Sequence, residues 1–570
     1  MTHTQPSSGT IKIAEYLLAR LQQLGIRSIF GVPGDYNLRL LDFVEPAGLH
    51  WIGNCNELNA AYAADAYARV NGLSALITTY GVGELSAING IAGAFTEKAG
   101  IIHIVGTPAR DLQLARKKVH HTLADGDYRH FATMASHVTI AQANLMDPST
   151  VPEQIDWTLQ QAMIYSQPVY IELPDDMVDV TISASRLSTP ISVPERLACP
   201  DEPLQEVLER IYKAQQPLIL VDGECGSMRI LDEVDELAKI TGWPTWTTVF
   251  GKGLVNEELL NVYGHYNGSL GSKAWQAYFD SADLIIALGP HYTDTNTYNF
   301  TTIPRDEVSI LLSKAMVQIG SRRYRDIPDG FLFRLLRRLD KDRVPKVQAP
   351  PRSTATENRN MIDHDTALVQ KTFYSYVNRA FRPGDLILTE TGTAAHGGRQ
   401  FKLPPQSRLF GPATWLSIGY MLPATLGAAV AKRELSENAN ARAILFIGDG
   451  SLQMSVQEIS TIIKEKLNVI IFIINNGGYT IERAIHGRKQ SYNDIASWRH
   501  QHTIAFFGGT EEQSANSFSA RTYAELDRIL EDDRIQKGSG LRVVEVFMGQ
   551  EDVEGALLKL MEDQISAEQP

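Results

Sequence analysis

Two long apolar runs in the last third of the chain each stop at glycine and polar residues. The stretch "AILFIGDGS" begins at Ala443, and the stretch "NVIIFIINNGG" begins at Asn468. Unbroken runs of branched and aromatic side chains are typical of parallel strands that helices cover on both faces. The pattern therefore predicts two buried strands that end in "GDGS" and "NNGG".

The segment between these strands has a helical pattern. From Ser455 to Leu467 the apolar positions fall at the three- and four-residue spacing of one helix face. A strand, a glycine-rich turn, a helix and a second strand form a βαβ-type unit, and ligands bind to such sheets outside the carboxyl ends of the strands. The unit therefore brings Asp449 and Asn476 to the same edge of a sheet.

These strand ends carry the groups of a metal site. A carboxylate, an amide oxygen and a free carbonyl are oxygen ligands that hold Mg²⁺ together with phosphates. Glycines and the start of a helix let the backbone approach an anion closely. The plain alternative is a simple turn, because Asn and Gly both tolerate positive φ. We interpret the two strand ends as one half of a metal-diphosphate site.

The same alternation of helical and strand-like segments recurs along the whole chain. The first block has "IAEYLLARLQQLG", "SIFGV", "SALITTY" and "IIHIVGT", and the second has "QPLILVDG", "ADLIIALG" and "EVSILLS". Residues 185–203 and 343–360 are rich in proline and polar residues and lack periodicity, which is typical of linkers. The chain is therefore predicted to be an α/β protein with three doubly wound α/β domains and mainly parallel sheets, at residues 1–185, 204–342 and 361–570.

Composition disfavours several classes of partner. The 570 residues exceed what one core serves, and the 53 basic and 66 acidic residues give a net charge of −13. This charge disfavours nucleic acid and anionic membrane surfaces as partners. No apolar run approaches the roughly 20 residues of a membrane helix, and the first ten residues show no signal or transit pattern. We expect a cytoplasmic protein that acts on a small molecule.

The three cysteines do not indicate a metal or redox site. Cys55, Cys199 and Cys225 lack the paired spacing of zinc ligands or of a redox couple. We expect buried or inert thiols in a reducing compartment.

Three motifs of the first block contain polar residues that could have a functional role or an ordinary structural one. In "GVPGDYNL" Asp35 follows a strand and could cap a helix, and in "GNCNELNAAYAADAYAR" Glu57 lies in a first turn, where it could compensate the helix dipole. In "KKVHHTLADGDY" His120 and His121 could be a solvated pair. Each motif alone favours the ordinary alternative.

In this order along the chain, however, the motifs resemble the thiamine diphosphate-dependent 2-oxo acid decarboxylases, the family of pyruvate and indolepyruvate decarboxylases. The resemblance also covers "GVGELSAINGIAGA", "SIGYMLPATLGAA", "GDGSLQMSVQEIS" and "NNGGYTIERAIHG". "GDG" followed after residues 451–474 by "NN" is similar to the thiamine diphosphate motif of the wider family. The histidine pair before "TLADGDY" is the element that marks decarboxylases. The three blocks would then be the pyrimidine-binding, central and diphosphate-binding domains.

The resemblance implies a role for each of these residues. Mg²⁺ would be bound by Asp449, Asn476 and the carbonyl of Gly478. Glu57 would hydrogen-bond the aminopyrimidine ring, and Ile418 would lie between the two cofactor rings. The implied cofactor-binding set is Glu57, Thr391, Leu416, Ile418, Gly450, Ser451, Asn476, Gly478 and Tyr479. The implied catalytic set is Asp35, Glu57, His120, His121 and Glu482.

The resemblance also implies the assembly. In the family, the first and third domains meet across two subunits, so we expect a homodimer that shares its active sites and a homotetramer as the final assembly.

Several positions leave the substrate open. Thr295 stands where pyruvate decarboxylases usually carry Phe or Tyr, which would enlarge the pocket as in indolepyruvate decarboxylases. Thr391 resembles the pyruvate-type residue, and His396 replaces the usual Phe. We expect decarboxylation of pyruvate to an aldehyde and carbon dioxide. Indolepyruvate or phenylpyruvate is the alternative substrate, since a change of this kind in a pocket separates substrates only modestly.

Two further alternatives concern the reaction class. An acetohydroxyacid synthase-like carboligase would share the metal motif, but the histidine pair and Glu482 argue against it. A catalytically silent relative is disfavoured by the complete catalytic set. Leu416 stands where Gly is common. Glu224, beside Cys225, replaces the cysteine that yeast-type enzymes are thought to use for activation, which puts substrate activation in doubt.

Overall fold

The computed structural model describes residues 9–193, 201–327, 330–352, 363–436 and 442–568. Within these ranges the chain forms sheets of six, seven and six strands and one two-stranded ribbon. Cys199 and parts of both predicted linkers lie outside the described residues. Strands and helices are numbered separately along the chain.

The first sheet is parallel throughout. Its part of the chain contains the strands β1 Thr10–Lys12, β2 Ser28–Gly31, β3 His50–Gly53, β4 Ser74–Thr79, β5 Ile101–Thr107, β6 Ala141–Asn144, β7 Val169–Pro174 and β8 Thr181–Ser183. The helices are α1 Ile13–Gln23, α2 Leu38–Leu41, α3 Glu57–Asn71, α4 Val82–Thr96, α5 Arg110–Leu114, α6 His130–Ala135 and α7 Val151–Tyr165. The strand order is β3-β2-β4-β5-β7-β6, and β1 pairs with β8 in the ribbon. Helices α1 and α7 bury apolar residues in the core of this sheet.

The second sheet is mixed. Its strands are β9 Pro217–Val221, β10 Thr245–Thr247, β11 Val262–His265, β12 Leu284–Leu288, β13 Ser309–Ser313, β14 Met316–Ile319 and β15 Arg322–Arg325. Its helices are α8 Asp201–Lys213, α9 Glu224–Met228, α10 Leu231–Thr241, α11 Lys273–Ser281 and α12 Phe331–Arg338. The order is β11-β10-β9-β12-β13-β14-β15, and β14 runs antiparallel to both of its neighbours.

The third sheet is again parallel, in the order β17-β16-β18-β19-β21-β20. Its strands are β16 Leu386–Thr389, β17 Arg408–Phe410, β18 Ala443–Gly448, β19 Val469–Asn475, β20 Ser517–Ala520 and β21 Leu541–Phe547. The helices of this part are α13 Gln370–Val377, α14 Thr393–Gly398, α15 Met421–Leu435, α16 Asp449–Leu452, α17 Ile459–Lys464, α18 Thr480–Ile485, α19 Thr503–Phe506, α20 Glu511–Ser514, α21 Tyr523–Glu531, α22 Asp533–Gln536 and α23 Ala556–Ala567. The predicted α/β class with mainly parallel sheets is confirmed.

The chain divides into two compact units. The first comprises Met1–Pro194, Leu422–Asn440 and Gln457–Leu467, and the second comprises Glu195–Met421, Ala441–Val456 and Asn468–Pro570. The first unit thus includes α17 and nearly all of α15, while the second contains the second and third sheets. Among the described residues, no helix combines the length and apolar content that crossing a bilayer requires.

The helix predicted from Ser455 to Leu467 is shorter than its apolar pattern indicates. A 3₁₀ turn, Val456–Glu458, precedes α17. The tightened turn coincides with a tertiary contact, since the buried carboxylate of Glu458 accepts hydrogen bonds from the side chains of Asn54 and Asn59 at 2.7 and 2.9 Å. Lys466 then adopts φ +52, which ends the helix. A contact with distant residues thus accompanies the start of α17, and a local backbone conformation ends it.

Candidate active site

Asp35 lies just after β2 and is not a helix cap. Helix α2 begins at Leu38 with Asn37 at the N-cap position, and the Asn37 side chain accepts a hydrogen bond from the Gly34 amide at 2.9 Å. The local turn is therefore closed by Asn37, which leaves the carboxylate of Asp35 available. The ordinary interpretation of Asp35 as a cap is wrong.

The structure brings Asp35 together with both histidines. One carboxylate oxygen of Asp35 is hydrogen-bonded to Nε2 of His120, and the other lies 3.8 Å from Nε2 of His121. The ring of Tyr36 stacks on His120 with a centroid distance of 4.9 Å and an angle of 11°. We call Asp35, His120 and His121 the histidine site. A carboxylate bonded to one imidazole and close to a second is an arrangement suited to proton transfer.

The loop that carries the histidines is held close to the start of α4. His121 has φ +64, and its carbonyl oxygen approaches Gly81 so closely that a Cβ on Gly81 would lie 2.1 Å away. Gly81 is fixed in turn by Glu84, whose carboxylate accepts hydrogen bonds from the Gly81 amide at 2.8 Å and from the Tyr170 hydroxyl at 2.7 Å. Burial raises the pKa of Glu84 to about 7.

Glu57 is the first residue of α3. The helix is capped by Asn56, whose side chain accepts a hydrogen bond from the Asn59 amide at 2.8 Å. The Glu57 carboxylate lies against Gly83, where an added Cβ would stand 3.1 Å from Oε1. Because Asn56 caps the helix, the carboxylate of Glu57 does not serve as the cap. It is half-buried and lies beside Gly83.

The predicted metal ligands converge in the second unit. Asp449 follows β18, and its two carboxylate oxygens accept hydrogen bonds from the amides of Gly450 at 2.9 Å and Gly477 at 2.8 Å. Asn476 and Gly478 follow the neighbouring strand β19. We call Asp449, Asn476 and Gly478 the metal turn.

The side chain of Asn476 lies among the other two groups of the metal turn. Its amide nitrogen donates to the Gly478 carbonyl at 3.0 Å and to Oδ1 of Asp449 at 3.1 Å, and its oxygen accepts from the Thr480 hydroxyl at 2.9 Å. With the amide turned over, its oxygen, the Gly478 carbonyl and the Asp449 carboxylate would offer three oxygen ligands to a cation. Burial raises the pKa of Asp449 to about 6, which a cation would reverse. The hard oxygen donors suit Mg²⁺.

The predicted cofactor-binding residues Gly450, Ser451, Tyr479 and Thr391 surround the metal turn. The Tyr479 ring lies over Gly450, since an added Cβ on Gly450 would stand 2.7 Å from the ring. The Ser451 hydroxyl donates to the Thr391 carbonyl at 3.5 Å. Gly478 has φ +137 and contacts the Asn493 carbonyl so closely that no side chain fits. The absence of a side chain at Gly450 and Gly478 lets the backbone of these turns approach an anion closely.

Leu416 and Ile418 lie in the turn before α15. Leu416 has φ +53, a left-handed conformation that costs a residue other than glycine about 1–2 kcal/mol. Gly419, at φ +84, packs against Met454 and Ser451. Residues 416–421 therefore form a fixed turn, which we call the 416–421 turn, and this conformation explains why glycine would be the ordinary choice at position 416.

Glu482 is on α18, two residues beyond Thr480, and is exposed. Because it belongs to the second unit, the structure does not group it with the histidine site. His396 lies on α14.

The positions that bear on specificity make polar contacts within the second unit. The Thr295 hydroxyl donates to the carbonyl of Ala413. His291 bridges Glu224, 3.2 Å from its Nδ1, and the hydroxyl of Thr414, 2.8 Å from its Nε2. Thr295 is thus hydrogen-bonded to the chain just before the 416–421 turn. Its side chain makes this contact in addition to being smaller than an aromatic ring.

The two described cysteines differ. Cys225 is buried, and burial raises the pKa of its thiol, as expected for an inert cysteine. Cys55 is exposed. Of the two expected states, buried or inert, burial therefore applies to Cys225 and not to Cys55, which lies beside the first turn of α3.

The sequence analysis did not single out three side chains that lie beside the predicted site residues. Tyr36 and Glu84 support the histidine site, and Glu390 lies beside Thr391. A signal existed for Glu390, because it ends the apolar run "LILTE" in the way that Asp449 follows "AILFIG". The contact of Glu84 with Gly81 is local, since Gly81 is the N-cap of α4 three residues earlier, but its contact with Tyr170 forms only in the fold.

Comparisons with known proteins agree with this geometry. Residues 11–129 match the family described as "Thiamine pyrophosphate enzyme, N-terminal TPP binding domain", residues 204–328 match its "central domain", and residues 390–546 match its "C-terminal TPP binding domain".

Curated relatives match over nearly the full length. A pyruvate decarboxylase of Aspergillus parasiticus is 49% identical and covers 98% of each chain. Pyruvate decarboxylases of Aspergillus fumigatus and Kluyveromyces lactis are 41% and 37% identical, cover 96% of this chain and are themselves covered over 96% and 97% of their length.

A solved structure supports the fold. The thiamine diphosphate-dependent 4-hydroxybenzoylformate decarboxylase of Rhodococcus jostii superposes with a TM-score of 0.77 at 17% identity, over 95% of this chain and 100% of that one.

Proposed function

Because this chain belongs to the thiamine pyrophosphate enzymes, with pyruvate decarboxylases as close relatives, we propose that it converts pyruvate to acetaldehyde and carbon dioxide. The reaction class is that of a thiamine diphosphate-dependent 2-oxo acid decarboxylase. The observation that carries the proposal for this site is the convergence of Asp35, His120 and His121, the element that resembles decarboxylases within the wider family.

The metal turn and its neighbours would hold the cofactor. Asp449, Asn476 and the Gly478 carbonyl would bind Mg²⁺ and through it the diphosphate, with Gly450, Ser451 and Tyr479 beside the phosphates. Thr391, Leu416 and Ile418 would hold the rings. Bound thiamine diphosphate supplies an electron sink for the pair of electrons left when the carboxylate departs.

The other residues move and hold protons. Glu57 would share a proton with the aminopyrimidine ring, for which a half-buried carboxylate in a glycine-lined position is suited. Asp35 orients His120 and lies close to His121, so the histidine site would donate the proton that completes the aldehyde. Glu482 would act on the same reacting group.

Pyruvate is favoured over larger acids because the curated relatives are pyruvate decarboxylases. The position of Thr295 bears on larger acids, and its hydroxyl donates to the Ala413 carbonyl. The smaller side chain is the observation that keeps indolepyruvate and phenylpyruvate as alternatives.

We further propose the assembly and the setting. Residues 1–185, 204–342 and 361–570 would act as pyrimidine-binding, central and diphosphate-binding domains. The active site would form between two subunits of a homodimer, within a homotetramer. The protein would work in the cytoplasm, and its net charge of −13 argues against nucleic acid or membrane partners.

The test is a comparison of rates for pyruvate, phenylpyruvate and indolepyruvate with Mg²⁺ and thiamine diphosphate. Aldehyde is measured through a coupled dehydrogenase. We expect the highest kcat/KM for pyruvate. Faster turnover of the aromatic acids would overturn the choice of substrate, and no turnover of any acid would overturn the proposed function.

A further inference from the structure

Glu390 is a fully buried carboxylate at the carboxyl end of β16. Its side chain is 0% exposed, and its backbone amide donates to the Phe446 carbonyl on β18 at 2.9 Å. Burial raises its pKa to about 7. Buried carboxylates are rare because removing the charge from water is costly, so the contacts of this one need an explanation.

The carboxylate joins two segments that are distant in sequence. One oxygen accepts a hydrogen bond from the Thr391 amide at 2.8 Å, and the other accepts one from the Met421 amide at 2.8 Å. Thr391 is the next residue along the chain. Met421 ends the 416–421 turn and begins α15, where the free amides of a helix start favour a negative charge.

The 416–421 turn has a second fixed point on its other side. The Ser455 hydroxyl donates to the Gly419 carbonyl at 2.6 Å, just beyond the helix that starts at Asp449. The turn is therefore held between Glu390 and Ser455. Without the Glu390 contact, Leu416 and its strained φ would depend on Ser455 and on the turn's remaining contacts to stay in place.

We propose that Glu390 is a positioning residue that fixes Thr391 and the 416–421 turn relative to each other, and so shapes the pocket for the rings of the cofactor. This inference rests on the proposed function, which places Thr391, Leu416 and Ile418 at those rings. Both carboxylate oxygens are needed, because each satisfies one amide of a different segment.

Replacement by glutamine removes this arrangement with little change of shape. In Glu390→Gln one oxygen becomes an NH₂ group that faces an amide N–H, so one of the two bonds is lost and a donor is left unsatisfied. The matched control is Asp385→Asn. Asp385 is buried immediately before β16, and its carboxylate binds Arg442 at 2.9 Å. It thus tests the loss of a buried carboxylate at the opposite end of the same strand.

Two measurements on the full-length protein test the inference without using turnover. Hydrogen exchange of the cofactor-free protein is followed in peptides that span 386–396 and 413–425. Thiamine diphosphate is titrated with saturating Mg²⁺, using tryptophan fluorescence. We expect Glu390→Gln to lose protection in both peptides and to bind the cofactor roughly 10- to 100-fold more weakly, the range for a lost hydrogen bond to a charged group. Asp385→Asn should leave the cofactor affinity unchanged, and Glu390→Asp should recover part of the affinity.

Three results would overturn the inference. The first is an unchanged cofactor affinity in Glu390→Gln. The second is an equal loss of affinity in Asp385→Asn. The third is a loss of protection in Glu390→Gln that is confined to the peptide 386–396. Failure of the proposed function is a separate outcome and is seen in the wild-type protein. In that case the wild type binds the cofactor as expected but turns over no 2-oxo acid.

Discussion

The side-chain amide of Asn476 donates to Oδ1 of Asp449 at 3.1 Å and to the Gly478 carbonyl at 3.0 Å. Both side chains are buried, at 6% and 3% exposure. This contact joins the ends of two neighbouring strands, so the sequence patterns "GDGS" and "NNGG" meet at one place. If the amide turned over, its oxygen would lie beside the carboxylate and the carbonyl, and the three oxygens would suit Mg²⁺.

Loss of the Asp449 carboxylate should therefore weaken Mg²⁺ binding. In Asp449→Asn we expect the Mg²⁺ concentration needed for half-maximal cofactor binding to rise by roughly tenfold or more, because a charged oxygen ligand is lost. Chelation of the metal from the wild type should likewise release the cofactor. The measurement is a Mg²⁺ titration at fixed thiamine diphosphate. Asp563→Asn, an exposed carboxylate on α23, is the control. Equal Mg²⁺ dependence in both variants would exclude Asp449 as a ligand.

The Asp35 to His120 contact should matter for turnover and not for cofactor binding. We expect Asp35→Asn to lower kcat by roughly 10²- to 10⁴-fold, since the orientation and charge of the imidazoles are disturbed. The same loop offers a matched control, because the exposed carboxylate of Asp125 is hydrogen-bonded to Nε2 of His130 at 2.6 Å. Steady-state rates with pyruvate decide the matter. If Asp125→Asn lost as much activity, the histidine site would have no special role.

Glu84 should make stability depend on pH. Burial raises its pKa from 4.5 to about 7, so between these values the folded state binds the proton more tightly than the unfolded state. The free energy of unfolding should therefore fall as pH rises from about 4.5 to about 7, with a ceiling of about 1.4 kcal/mol for each unit of pKa shift. Glu84→Gln should flatten this part of the curve.

The measurement is urea unfolding of both proteins at several pH values in this range. Glu153→Gln, an exposed carboxylate in the first turn of α7, serves as the control. A slope in Glu84→Gln as steep as that of the wild type would show that the Glu84 carboxylate does not hold the proton.

Shared active sites should complement one another. Asp35→Ala and Glu482→Gln each inactivate a different half of the proposed site, so neither homodimer should work. After dissociation and random reassociation, half of the dimers are mixed and each mixed dimer has one intact site, which gives about a quarter of wild-type activity. Each variant taken alone through the same procedure is the control. No recovery on mixing would argue against a site formed between subunits.

The strand ends were predictable, and the contacts across the fold were not. Asp449 and Asn476 follow two adjacent apolar runs, so the βαβ pattern alone brings them together. Asp35 and His120 come from separate segments of the first block, and only resemblance to a family linked them before the structure showed their contact. Glu84 accepts a hydrogen bond from Gly81 within the first turn of α4, which is a local contact, whereas its bond to Tyr170 on β7 depends on the fold.

The substitution Glu57→Gln tests the central claim most directly. It keeps the size of the side chain at the start of α3 and removes the group proposed to share a proton with the cofactor. Turnover of pyruvate is measured at saturating thiamine diphosphate and Mg²⁺, after a titration has established that the variant still binds the cofactor. The account predicts a loss of roughly 10²-fold or more in kcat with cofactor bound. Turnover at the wild-type rate would contradict it.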